Sequence, residues 1–196
     1  YQLEIIRAAD SILARKNEIR VVIVAGPSSS GKTTTTIKIS EHLGKEGFRF
    51  VPFHVDHYFH DLDKHPKDEY GDYDYETPQA LDLGMINDHL KRLLAGEKVM
   101  VPKFDYKLGK RVDNHHEMRL AEGEILLIDS LHGLYGGMTG DIPNAGKFRL
   151  YIETLLQMRD NEGRYIRWAD LRILRRMTRD KDARHVEPRF TLEHWR

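Results

Sequence analysis

A short segment near the start of the chain has the residue types and spacing to hold a polyphosphate. Its residues are, in order, Gly26, Pro27, Ser28, Ser29, Ser30, Gly31, Lys32, Thr33 and Thr34, and they contain the pattern G-x-x-x-x-G-K-T. Glycines let backbone N–H groups approach phosphate oxygens closely, and a helix that starts there directs its positive end at the same oxygens. In this pattern the Lys32 ammonium reaches the β- and γ-phosphates, and the Thr33 hydroxyl reaches Mg²⁺. The segment predicts a phosphate-binding loop; a chance Gly/Ser-rich turn is the alternative.

The segments around this loop predict an α/β fold. A buried strand over 19–25 enters the loop, and a helix to about residue 46 leaves it. The other predicted strands are 48–55, 124–128 and 147–152, and the other predicted helices are 2–16, 78–94, 154–162 and 168–180. Such alternation is typical of a P-loop NTPase-type three-layer fold with a mostly parallel sheet. Two short strands, 98–106 and 110–119, predict a small β-hairpin insertion, the polar stretch 57–77 predicts a functional or disordered loop, and the tail is predicted to be loop.

Two aspartates follow predicted strands and are candidates for the chemistry. Asp129 closes the apolar run 125–128, and a carboxylate at such a strand end can hold Mg²⁺ beside the nucleotide. Asp56 closes the strand before it and can accept a proton from an attacking hydroxyl. Because ligands gather at the carboxyl ends of parallel strands, we expect both side chains near the phosphate loop. Either residue could instead be an ordinary turn aspartate.

Four arginines share one face of a late predicted helix. They are Arg172, Arg175, Arg176 and Arg179, spaced i, i+3, i+4 and i+7. Guanidinium groups suit the charge that spreads over a transferring phosphoryl group, so the pattern predicts an arginine-bearing lid helix. A charged helix face is more often simply solvated, and that alternative stays open here.

Composition excludes several classes of function. Lys+Arg and Asp+Glu number 31 each, so no net basic field indicates nucleic acid or an acidic membrane as a partner. No apolar run approaches the roughly 20 residues that a membrane span needs. The chain has no cysteine, which suits a reducing cytoplasm. We expect a cytoplasmic protein with a small-molecule substrate; whether it forms a homo-oligomer is left open.

The predicted domain organisation is simple. Residues 1–18 are expected to form an N-terminal linker or packing helix, and residues 19–196 a single P-loop domain. Because the chain begins at Tyr1 rather than Met, we expect it to be a piece of a longer protein.

Five segments of the chain together carry a resemblance to one family. They are Ala25–Thr34, Val55–Phe59, Tyr73–Asp82, Val101–Tyr106 with Gly109–Arg111, and Leu171–Arg176 with Arg179–Asp180. In this order they resemble the uridine kinase / phosphoribulokinase family, and within it the uridine-kinase-like nucleoside kinases, including bacterial forms with a threonyl-tRNA-synthetase-like N-terminal region. The resemblance covers roughly residues 19–185.

The resemblance implies a kinase that transfers the ATP γ-phosphate directly to a sugar hydroxyl. It implies that Asp56 is the base, that Thr33 and Asp129 hold Mg²⁺, and that Asp74 and Arg111 hold the ribose. It further implies that Lys32, Arg176 and Arg179 stabilise the transferring group and that Arg172 contacts ATP. Three aromatic residues could stack on the base, although aromatic rings are more often core. They are Tyr58, Phe104 and Tyr106.

Two departures from the family pattern leave alternatives open. The family usually ends this strand in Glu-Gly, whereas this chain has Asp129-Ser130, and Gly109 stands where uridine kinases often carry a His. The acceptor could therefore be a sugar phosphate or pantothenate, or the chain could be an ATP-binding regulatory module with little turnover. A GTPase is disfavoured because no Asn-Lys-x-Asp guanine reader is present. A further, weaker alternative is a transition-metal site at His54, His57 and His60.

Overall fold

The computed structural model describes residues 1–153, 158–193 and 195, without the side chains of 183 and 184. Its elements in chain order are α1 (Gln2–Leu13), β1 (Val21–Ala25), α2 (Lys32–Lys45), β2 (Arg49–Pro52), α3 (Leu83–Leu94), β3 (Lys98–Asp105), β4 (Lys110–Arg119), β5 (Glu124–Ser130), β6 (Lys147–Tyr151), α4 (Trp168–Arg184) and α5 (Pro188–Glu193). Strands β2, β5, β1 and β6 form a parallel sheet in that order, and β3 pairs with β4 in a separate antiparallel hairpin. The predicted α/β fold with its hairpin insertion is confirmed.

Strand β1 lies at the centre of the sheet and is buried along its whole length. A strand buried on both faces is expected to be a continuous apolar run, as Val21–Ala25 is. The parallel register sets Val24 beside Asp129 and Ala25 beside both Ser130 and Tyr151. The carboxyl ends of β1, β5 and β6 therefore meet at one edge, directly before the phosphate loop.

Alternate residues of β1 enter two separate apolar cores, because successive side chains in a strand point to opposite faces. Val21 and Ile23 pack with α3, the hairpin and β5. Val22 and Val24 pack with α1 and α2. Helix α1 is thus part of the same core as the sheet, through Ile5, Ala9 and Ile12. The three-layer arrangement follows from these two cores.

Several element boundaries differ from the predictions. Strand β2 ends at Pro52, and the chain turns at once into a 3₁₀ turn, Val55–Tyr58. Helix α3 begins at Leu83 rather than Pro78, because the Asp82 side chain accepts the Met85 N–H and caps the helix there. Between these elements, the stretch 57–77 is organised by short turns and by isolated bridges such as Phe59–Leu81.

The predictions for the C-terminal part were wrong in two places. Of the predicted helix 154–162, residues 154–157 lie outside the described part, and the rest is not helical: Arg159 bridges to Tyr165 around a turn at Asp160. The tail is not a plain loop, since α4 continues to Arg184 and α5 packs back on it, with Thr191 Oγ1 donating to Asp180 Oδ2. Within the residues described, none of the helices has the length and apolar character that crossing a membrane requires.

Candidate active site

The phosphate loop links β1 to α2 and needs glycine at both of its ends. Gly26 has φ +152°, and a Cβ there would overlap the carbonyl oxygen of Ile152, the residue after β6. Gly31 has φ +100° and caps the start of α2, a left-handed conformation that side chains rarely adopt. Lys32, directly after Gly31, donates from its Nζ to the Pro27 carbonyl at 3.1 Å. The loop is therefore shaped as the motif predicts, with the helix start and Lys32 beside it.

Thr33 and Asp129 form the second part of this region. Thr33 Oγ1 donates to Asp129 Oδ2 at 3.0 Å, which joins the start of α2 to the end of β5. Mg²⁺ binds hard oxygen ligands and usually combines one or two carboxylates with substrate phosphates and water. A hydroxyl and a carboxylate in contact beside a phosphate loop fit those requirements, so these are the residues that would hold the metal.

Asp56 lies in the 3₁₀ turn after β2 and close to this pair. Burial is the main cause that raises the pKa of its carboxyl, and the nearby Asp129 carboxylate raises it further. Tyr106 donates to Asp56 Oδ2 at 3.5 Å, and this contact, with His54 and His132, opposes the rise. A carboxylate whose pKa is shifted toward neutrality beside a phosphate site has the properties of a general base.

Lys32 lies close enough to these carboxylates for their charges to act on its ammonium. Burial lowers the pKa of its ammonium most, and the neighbouring Arg172 and Arg179 add to that decrease. Asp129 and Asp56 act in the opposite direction. The site thus combines at least three cationic and two acidic side chains over the phosphate loop.

The arginine face of α4 lies on the phosphate loop. Arg172 Nε donates to the Ser28 carbonyl at 2.9 Å, and an Arg176 Nη donates to Ser28 Oγ at 2.7 Å. A pocket of ≈ 430 Å³ opens between the loop, Arg175 and Arg179. The predicted arginine face therefore covers the loop rather than being only a solvated surface, and Asp180 holds Arg176 in place at 2.8 Å.

The three aromatic candidates have different environments. Tyr58 is almost fully buried, stacks on Phe53 and contacts His89 Nδ1 through its hydroxyl at 2.9 Å. Phe104 is also buried, edge-on against Phe59. Contrary to the prediction, these two rings belong to the core in this structure and present no face for stacking. Tyr106 is exposed beside Asp56, so its role as a stacking residue stays a prediction.

The two residues expected to hold ribose are engaged locally. Asp74 Oδ1 accepts the backbone N–H of Glu76. The Arg111 guanidinium, mostly buried, pairs with Asp82 at 3.0 Å and Asp113 at 2.7 Å. Arg111 thus cross-links the hairpin to the start of α3. Direct contact of Asp74 or Arg111 with a substrate remains a prediction.

Two residues of this region were not predicted from the sequence. Glu76 Oε1 lies 3.3 Å from Arg176, so it joins the 57–77 segment to α4. His132 lies near enough to Glu76, Asp56 and Asp74 for their charges to raise the pKa of its imidazole, although burial dominates and lowers it. The sequence contains one indication that each residue lies near the site, which is its position: Glu76 lies in the Tyr73–Asp82 segment, and His132 follows shortly after Asp129.

A zinc site at the early histidines has no support in the described residues. Across residues 1–153, 158–193 and 195, no three His, Asp or Glu side chains converge as metal ligands.

Together, the parallel sheet, the phosphate loop and the Thr33–Asp129 pair define a P-loop phosphotransferase-type nucleotide site. Residues 21–188 match the model of the phosphoribulokinase / uridine kinase family, and the chain belongs to that family. Its members are ATP-dependent kinases that act on hydroxyl groups and use Mg²⁺.

Individual relatives agree with the family assignment. Uridine kinases of Staphylococcus aureus strains JH9 and Newman are 30% identical over 164 residues, which is 84% of this chain and 70% of theirs. Among solved structures, a possible uridine kinase from Bacillus stearothermophilus has a TM-score of 0.61 at 20% identity and covers 89% of this chain and 93% of its own. A candidate fructose transport system kinase from Silicibacter sp. TM1040 has a TM-score of 0.64 at 15% identity, covering 96% and 86%. These structures share the fold.

Proposed function

We propose that the chain transfers the γ-phosphate of ATP to a sugar hydroxyl of a small, nucleoside-like acceptor. The observation that carries the proposal is the position of Asp56, whose carboxyl has a raised pKa, beside Asp129 and the phosphate loop. A regulatory module that only binds ATP has no need of a second carboxylate there. The uridine kinases among the relatives support a nucleoside-like acceptor.

In the proposed reaction, Asp56 accepts the proton of the acceptor hydroxyl. The acceptor oxygen forms a bond to the γ-phosphorus, the bond from that phosphorus to the β–γ bridging oxygen breaks, and ADP leaves. Lys32, Arg176 and Arg179 stabilise the charge on the transferring group. Thr33 and Asp129 would hold Mg²⁺, which neutralises charge on the phosphates when bound.

Helix α4 supports a second role, the exclusion of water. It already contacts Ser28 through Arg172 and Arg176, so it can cover the triphosphate. A covered site suppresses the transfer of phosphate to water instead of to the acceptor.

The test is Mg²⁺-dependent ATP consumption with a panel of acceptors: uridine, cytidine, adenosine, guanosine, inosine, ribose phosphates, pantothenate and none. Asp56→Asn is the key variant, and the exposed Asp63→Asn is its matched control. We expect acceptor-dependent turnover in the wild type and in Asp63→Asn, and its loss in Asp56→Asn. Tight ATP binding without turnover on any acceptor would instead identify a nucleotide-binding regulatory module.

A further inference from the structure

Arg172 is a buried cation that has aromatic rings beside it where an acid would be expected. The residue is only 8% exposed, and within the described ranges no carboxylate lies within ion-pair distance of it. Its guanidinium carbon lies 5.4 Å from the centroid of the Trp168 ring and 5.1 Å from that of the Trp195 ring. Such contacts are favourable for a desolvated cation. We refer to these three residues as the tryptophan clamp, which contains both tryptophans of the chain.

The fold of the C-terminal segment assembles the clamp. Trp168 and Arg172 are at positions i and i+4 of α4, so they share one face of that helix. Trp195 reaches the same place because α5 packs back on α4, where Thr191 Oγ1 donates to Asp180 Oδ2. The clamp therefore depends on the packing of α5 on α4.

The clamp holds Arg172 against the phosphate loop. Arg172 Nε donates to the Ser28 carbonyl at 2.9 Å. In a trans peptide the carbonyl and the N–H of the next residue point in opposite directions, and the peptide between Ser28 and Ser29 is trans. The Ser29 N–H therefore points away from Arg172.

The Ser29 N–H has the environment of an anion donor. Ser29 has φ +61°, a left-handed conformation that is uncommon for a residue with a side chain. Successive backbone N–H groups around such a residue form concavities that bind anions. Ser29 also lines the cavity of ≈ 430 Å³ between the loop, Arg175 and Arg179. Among the residues described, none accepts its N–H, so a phosphate in this cavity would supply the missing acceptor.

Tryptophan suits this position better than an acid does. A carboxylate beside Arg172 would compete with the Ser28 carbonyl for the guanidinium and would place negative charge near the bound phosphates. The face of an indole ring attracts the cation without neutralising it. Burial lowers the pKa of the Lys32 ammonium most, and the charge of Arg172 lowers it further, so that charge acts on the loop.

We propose that Trp168 and Trp195 are positioning residues for the nucleotide: they hold the Arg172 guanidinium on the Ser28 carbonyl, which keeps the Ser29 N–H directed at a bound phosphate group. The proposal rests on the nucleotide site of the proposed kinase and adds two residues to it. Both tryptophans act through Arg172 and the backbone of the loop rather than on the ligand.

The first experiment measures binding without turnover, by calorimetric titration of inorganic tripolyphosphate and of a non-hydrolysable ATP analogue, each with Mg²⁺. In Trp168→Leu and in Trp195→Leu we expect both affinities to fall about 3- to 30-fold, the range for loss of a cation–π contact. Trp168→Phe and Trp195→Phe should recover most of the affinity, because phenylalanine also presents an aromatic face. The control is Tyr165→Leu, which removes a ring 4.4 Å from the exposed Arg159 and should bind as wild type does.

Two results of this titration would overturn the proposal. The first is an unchanged tripolyphosphate affinity in both leucine variants. The second is an equal loss in the leucine and phenylalanine variants, which would show that the size of the indole rings matters and not their aromatic faces. Trp168 is 44% exposed, so Trp168→Leu is expected to leave the fold intact, and its Tm is measured beside the titration.

A second measurement follows the Ser29 amide itself by NMR. Tripolyphosphate should shift the Ser29 amide proton downfield, since the N–H gains a charge-assisted hydrogen bond. The shift should shrink in Trp168→Leu, and Arg172→Gln should remove most of it. A Ser29 shift of the same size in wild type and in both variants would refute the proposed role of the clamp.

These outcomes are separate from those of the acceptor panel. Turnover of an acceptor, combined with leucine variants that bind tripolyphosphate as wild type does, would establish the kinase and refute the clamp. Absence of turnover with every acceptor would refute the kinase, while weaker tripolyphosphate binding in the leucine variants would still support the clamp.

Discussion

Thr33 and Asp129 are 96 positions apart in the chain, yet Thr33 Oγ1 donates to Asp129 Oδ2 at 3.0 Å. The contact exists because β1 and β5 are parallel neighbours and the chain leaves both at the same edge of the sheet. It brings together a hydroxyl and a carboxylate beside the phosphate loop, two hard-oxygen groups of the kind that would hold a nucleotide-bound Mg²⁺.

Replacing Asp129 with Asn should weaken the metal site specifically. The amide has no charge, so we expect the Mg²⁺ concentration for half-maximal turnover to rise about 10-fold or more and kcat to fall. Turnover is measured against Mg²⁺ at saturating ATP, with the exposed Asp88→Asn as control. A variant with an unchanged Mg²⁺ requirement would show that Asp129 is not a metal ligand.

The raised pKa of Asp56 should be visible in the pH dependence of activity. A base works only when deprotonated, so kcat/KM should fall with decreasing pH at a higher pH than an ordinary carboxyl would give. The Tyr106 hydroxyl lowers this pKa by hydrogen bonding, so Tyr106→Phe should shift the acidic limb further upward. The exposed Tyr70→Phe is the control. If the acidic limb of the pH profile did not move in Tyr106→Phe, the hydrogen bond from Tyr106 to Asp56 would be contradicted.

The same shift has a consequence for stability. Folding raises the pKa of Asp56, so this residue stabilises the folded state at pH values below its pKa in the unfolded chain. That stabilisation is lost as the pH rises through its pKa in the folded protein. Asp56→Asn should therefore abolish turnover yet raise Tm at pH 7 relative to wild type. The gain should shrink as pH falls toward 4. If Asp56→Asn differed from wild type in Tm by the same amount at pH 7 and at pH 4, the raised pKa of Asp56 would be refuted.

Gly26→Ala should damage the nucleotide site because the new Cβ would overlap the Ile152 carbonyl oxygen. We expect ATP binding to weaken at least tenfold and Tm to fall. Gly44→Ala is the matched control: it lies in α2, with nothing within 4 Å of its Cβ position. There the substitution should stabilise by about 0.5–1 kcal/mol, since alanine favours helix. For both variants, ATP affinity is measured by calorimetric titration and Tm by thermal unfolding.

Arg176→Ala should reduce kcat by about 10²-fold or more, if its guanidinium stabilises the transferring phosphoryl group. Arg176→Lys should restore only part of this, because one ammonium cannot contact Ser28, Glu76 and Asp180 together. Lys181→Ala, on the exposed side of the same helix, should retain full activity. An increase in KM for ATP with an unchanged kcat would indicate that Arg176 contributes to ATP binding rather than to transition-state stabilisation.

Much of the site could be predicted from local sequence. The motif Gly26–Thr33 and the apolar run before it define a loop whose geometry depends on its own backbone, and the arginine spacing of α4 is a property of one helix. The acids Asp56 and Asp129 were predicted to be close because parallel strands end at a common edge. These inferences used only rules that act within one element or one sheet.

The amino-acid sequence by itself thus determined the fold class, the phosphate loop and which carboxylates adjoin it. Only the tertiary structure decided that Tyr58 and Phe104 lie in the core, that Glu76 meets Arg176, and that His57 lies close to His115 and His116 of the hairpin. Whether an aromatic ring or an arginine faces a core, a partner or a cleft depends on contacts between distant segments. Neither periodicity nor spacing within one segment carries that information.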